Sequence, residues 1–98
     1  MNFKVSNNLQ YPWERILQDA GYHMHRDSFV KRLSRDFYPR FHVYMKNERD
    51  GMIEFNVHLD QRAGVHEGVT AHAGEYDSDL VIKEGNRLQE IFASKINN

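Results

Sequence analysis

The chain has no cysteine, no apolar run approaching eighteen residues, and only two prolines. The missing cysteine excludes disulfides, thiolate zinc sites and a cysteine nucleophile. The missing apolar run excludes a membrane-spanning helix. The first ten residues, MNFKVSNNLQ, lack the hydrophobic stretch of a secretory signal, so a cytoplasmic location is expected. There is no HExxH element and no other spacing of a known metallohydrolase motif, so no motif names a reaction.

What is present has the composition of a soluble globular domain: 98 residues, 40% hydrophobic and 28% charged, with a formal net charge of −1. That length fits one domain over residues 1–98 with one modest core. The charges are unevenly placed. Residues 1–49 carry nine Lys and Arg against five Asp and Glu, whereas residues 50–98 carry four against nine. Such a split can steer an anionic partner to one side, or let two oppositely charged faces attract each other.

Along the chain, Phe3 and Val5 alternate with polar neighbours, so residues 1–8 read as a lead-in strand or a flexible arm. Pro12 suits a first helical turn, and Trp13, Ile16, Leu17 and Ala20 make one apolar helix face that Gly21 stops. Tyr22 to Arg26 alternates as a short strand. Residues 27–37 fit either a helix turn or a bent strand, and any helix there must end before Pro39.

Residues 41–60 carry the strongest pattern, a β-hairpin. Phe41, Val43 and Met45 alternate with polar residues, as do Ile53, Phe55, Val57 and Leu59. A three-residue loop, Arg49-Asp50-Gly51, makes opposed positions sum to 100. It pairs Met45 with Phe55, Val43 with Val57 and Phe41 with Leu59 inward; Lys46/Glu54, Tyr44/Asn56 and His42/His58 face outward. A two-residue turn would shift the register by one and set Asn56 against Val43 on the core side, an expensive burial. After Asp60, residues 65–71 fit a third strand, though Gly64, Gly68 and Gly74 equally suit a bent loop. Asp77 is the expected cap of a final helix whose stripe is Leu80, Val81, Leu88, Ile91 and Phe92, with residues 94–98 fraying.

The expected fold is therefore α+β, in the rough order α-β-β-β-α. A small antiparallel sheet of three (or four) strands has helices packed on one face and leaves the histidine-bearing face open. Three uses of that face follow. The first is an interaction or structural role, including a homodimer through the open sheet face, where aromatic residues are favoured. The second is a divalent metal site or hydrolase, with His58, Asp60, His66 and His72 as ligands for zinc or manganese. Glu75 is a further ligand or base there; without a metal, His42 and His58 form an acid/base pair for phosphate or phosphodiester chemistry, with Tyr44 and Asn56 positioning the ligand. The third is RNA binding with phosphodiester cleavage, in which Lys31, Arg32, Arg35 and Arg40 contact phosphate. The helix–strands–helix order resembles the double-stranded-RNA-binding domain, and the resemblance implies RNA contacts from helices, loops and basic residues. The acidic start of the last helix (Asp77, Asp79, Glu84) departs from that pattern.

Overall fold

The computed structural model describes residues 1–61, 74–75 and 78–98, with Gly74–Glu75 considered as backbone. The sheet is larger than expected. Five antiparallel strands run in the order β1-β5-β4-β3-β2: β1 (Asn2–Ser6), β2 (His23–His25), β3 (Ser28–Arg32), β4 (Arg40–Arg49) and β5 (Met52–Asp60). A two-residue strand, β6 (Gly74–Glu75), pairs with the end of β5. Helices α1 (Trp13–Asp19) and α2 (Asp79–Ala93) complete the fold. This corrects the sheet of three or four strands in two places, and it removes the close parallel with the RNA-binding architecture. The first strand precedes α1, and the ambiguous segment after residue 27 is the strand β3 rather than a helix turn.

The extra strands have local causes. Phe3 and Val5 are buried while Asn2 and Lys4 are exposed, the period-two pattern of an edge strand with one buried face. β1 covers β5 from Met52 to Asn56, backbone bonds between Met1 and Val57 extend the pairing, and β6 takes up Leu59 and Asp60. The β2–β3 turn puts Arg26 at φ 56°, and Phe29 and Val30 enter buried positions.

The inner sheet face meets both helices. Phe3, Phe29, Phe41, Val43, Phe55 and Val57 from the strands pack with Ile16, Leu17, Val81, Leu88 and Phe92 from the helices. Each such side chain contributes about 1.5–3 kcal/mol when fully buried. Trp13 sets its ring edge-on to Phe29 and Phe55 at 5.7 and 5.3 Å. A buried polar link reinforces the layer: Tyr22 donates to Glu84 at 2.5 Å, and Arg87 donates to both Glu84 oxygens and to the Ala20 carbonyl. Burial, then the Glu84 charge, pushes the Tyr22 phenol far above its ordinary value. Burial raises Glu84 too, but the hydrogen bonds from Arg87 and Tyr22 win and hold its carboxyl below its ordinary value.

The hairpin register is as expected around the histidines: Phe41 opposes Leu59, His42 opposes His58, Val43 opposes Val57 and Met45 opposes Phe55. The reason differs. The turn is the two-residue Asp50-Gly51, both residues at positive φ (55° and 77°), the geometry an Asp-Gly hairpin favours. A bulge between Met45 and Asn47 restores the register, so Asn47 rather than Lys46 opposes Glu54 and donates to it at 3.0 Å. Two further details differ: α2 is capped by Ser78, whose hydroxyl accepts from the Val81 amide, and Leu9 bridges Ile96 beside the C-terminal tail. Ser78 thus takes the cap position expected of Asp77, and the expected strand at 65–71 lies outside the described residues.

Two glycines should respond oppositely to alanine. Gly21 stops α1 at φ 106°, with its amide bonded to the Gln18 carbonyl and the Tyr22 amide to that of Leu17. A side chain there is strained, so Gly21→Ala should cost about 1–2 kcal/mol. In Gly85→Ala the new methyl would meet mainly the flexible end of Met1, while helix propensity improves by roughly 1 kcal/mol, so the net change should be near zero. Urea unfolding of both variants tests the contrast.

Candidate metal centre

On the outer sheet face, alternate residues of β4 (Arg40, His42, Tyr44) lie opposite alternate residues of β5 (Asp60, His58, Asn56). The register alone therefore gathers two imidazoles, a carboxylate and a guanidinium. This face is not the open surface expected: Arg40, Asn56 and His58 are each only 6–7% exposed.

Asp60 is the hub. Its Oδ2 accepts from Arg40 Nε and lies against His42 Nδ1, both at 3.1 Å, and its Oδ1 lies 2.9 Å from His58 Nε2. The two imidazole centroids are 4.7 Å apart, and the Tyr44 ring stands edge-on to both at 6.2 Å. Burial acts to raise the Asp60 carboxyl, but hydrogen bonds from His42, His58 and Arg40 outweigh it and hold the group far below the usual carboxylate range.

The outer nitrogen of each imidazole also faces oxygen. His42 Nε2 lies 2.6 Å from Ser28 Oγ, and Ser28 donates to the His25 carbonyl at 3.1 Å. His58 Nδ1 lies 3.0 Å from Asn56 Oδ1, whose amide nitrogen donates to Asn2 Oδ1 at 2.8 Å. Each imidazole is thus held between an outer oxygen and the shared carboxylate, so that the two inner nitrogens can either donate N–H to Asp60 or join it in offering lone pairs to one cation.

His42, His58 and Asp60 form a cluster able to coordinate a divalent metal, with ligating atoms all within 4.8 Å of one another. Ligands of one tetrahedral zinc ion sit roughly 3.3 Å apart, so the three groups would draw slightly together around an ion. Of the expected ligands, His58 and Asp60 are brought together. His66 and His72 lie outside the described residues, as does the side chain of Glu75. His42, expected as an acid/base partner of His58, joins the ligand cluster. Tyr44 and Asn56 border it as expected, Asn56 through His58. The four phosphate candidates do not act as a set: Arg40 is buried on Asp60, Arg32 reaches the Arg35 carbonyl, and Lys31 lies toward Gly21 and the Glu84 charge. Ser28 and Asn2 were not singled out in the sequence, because their part depends on where β3 and β1 lie.

No protein-family model, curated protein or solved structure matches the chain, so its own geometry is what bears on function. No helix among the described residues is long and apolar enough to cross a membrane.

Replacing Asp60 should expose its role as hub. Asp60→Asn leaves Arg40 without its carboxylate, and breaking such a pair costs about 3 kcal/mol near neutral pH. A depressed carboxyl stabilises the fold above its unfolded-state value, about 4, and that contribution fades as pH falls below it. Wild type and variant should therefore differ most near pH 7 and converge in acid. Denaturant midpoints from pH 7 down to 2 check this.

Proposed function

We propose that the protein is a divalent-metal-binding domain, with His42 Nδ1, His58 Nε2 and Asp60 as protein ligands. The observation that carries this reading is the donor arrangement: each histidine's outer nitrogen is engaged by an oxygen, and its inner nitrogen is turned to a shared carboxylate. An outer hydrogen bond of this kind fixes the tautomer and orientation of metal-binding histidines. Two nitrogens and a carboxylate oxygen suit zinc or manganese. His66 or His72 remains the proposed further ligand: the described chain resumes at Gly74, two residues after His72, and Gly74 pairs with Asp60. With three protein ligands the ion would keep a water position and could support hydrolysis, whereas a fourth from His66 or His72 would close the site into a structural one. The RNA and homodimer readings gain no support from the described geometry.

Elemental analysis and calorimetry should find about one zinc or manganese ion per chain, with binding that releases protons. His58→Ala and His42→Ala should abolish it, while a wild-type protein that takes up neither ion ends the proposal. Ser28→Ala and Asn56→Leu should weaken binding by about 10- to 100-fold through the lost outer hydrogen bonds.

A second reading rests on the contact chain Ser28 Oγ–His42 Nε2 (2.6 Å) and His42 Nδ1–Asp60 Oδ2 (3.1 Å), which has the order of a serine–histidine–aspartate relay. Covalent labelling of Ser28 in metal-stripped protein by a fluorophosphonate would favour it over the metal. Unlabelled Ser28 would dismiss it.

A further inference from the structure

Arg40 has an unmet bonding capacity that the metal reading does not use. The residue is 6% exposed, its Nε donates to Asp60, and its Nη1 is buried with no hydrogen-bond partner among the described residues. Its guanidinium carbon lies 4.3 Å from the Phe37 ring and 4.7 Å from that of Tyr38. Aromatic rings stabilise the cation, but they offer no lone pair to an N–H in the guanidinium plane. A buried unpaired donor on a charged group is costly, and native proteins keep few of them.

The carboxylate that Arg40 touches, Asp60, is shared with both histidines, so the guanidinium has only part of one counter-charge in that contact. A guanidinium with an unmet donor favours an anion. Planar guanidinium donors match the oxygens of a carboxylate or phosphate, which a lysine ammonium cannot reproduce. Phe37, whose ring lies against the guanidinium, is itself 47% exposed and sits between β3 and β4.

We propose that Arg40 marks an oxyanion subsite beside the metal centre, in which Nη1 donates to a phosphate or carboxylate oxygen of the ligand. The proposal rests on the metal reading only for what Asp60 holds next to it; the contacts of Arg40 stand without an ion.

The test titrates inorganic phosphate and, separately, acetate into the full chain, metal-free and after zinc addition, by calorimetry. Nitrogen-15 NMR in parallel follows the Arg40 guanidinium signals, assigned by their contacts to Phe37 and Tyr38. Saturable binding of either anion that shifts those signals supports the subsite, and the arm that binds more tightly names the source. Arg40→Lys, which keeps the charge, should weaken the anion by about tenfold or more while zinc affinity changes far less. The proposal is overturned if neither anion binds in either state. It is equally overturned if they bind without moving the Arg40 signals, or if Arg40→Lys binds like wild type. If zinc does not bind but phosphate still shifts Arg40, the metal reading fails and the subsite stands. If Arg40→Lys does not fold, the wild-type NMR signals decide.

Discussion

The arrangement of the outer sheet face depends on one carboxylate with three donors. Asp60 draws Arg40 and His42 from one strand and His58 from its own strand onto two oxygens. Each of these groups is expensive to bury alone, and together they are tolerable because the negative charge is shared. The sharing also aligns the imidazoles, so that their other nitrogens meet Ser28 and Asn56. Through those contacts the cluster reaches the β2–β3 turn on one side and the edge strand β1 on the other. Strands far apart in sequence thus converge on one acid.

The two faces of the sheet divide the work. The inner face is apolar and closed by both helices, with the Tyr22–Glu84–Arg87 link fastening α2 to the end of α1. The members of that link bond one another: Tyr22 and Arg87 both donate to Glu84. The outer face buries Arg40, Asn56 and His58, and among the described residues it leaves Arg40 Nη1 without a partner. Stability can therefore rest on one face while the other tolerates arrangements that a core would reject.

How far the sequence reveals this depends on distance along the chain. Period-two alternation in residues 41–60 placed His42 opposite His58, because a one-residue slip would invert both strands. The same sum of 100 sets Arg40 against Asp60, a pairing that was legible there but masked by reading Arg40 as a phosphate contact. The helices were legible from their apolar stripes and from Gly21. For β1 and β3 the pattern leaves strand against arm or helix turn undecided, since a five-residue strand with two or three apolar side chains gives too little periodicity to choose. Ser28 and Asn2 were invisible for the same reason: their partners are set by strand order, which no local pattern encodes. The turn at Asp50-Gly51 was misjudged because alternation reports the register at the core and says nothing of a bulge between core and tip.

That bulge has a consequence for how the hairpin can change. Because the strand gains one residue between Met45 and Asn47, the tip and the histidine cluster belong to two different registers joined at a single irregularity. A tip rebuilt with another turn could be accommodated by losing or moving the extra residue, with His42 still facing His58. The outer end of the hairpin is thereby insulated from the chemistry at its base. It is a natural place to graft a loop, a label or a recognition segment without disturbing the cluster.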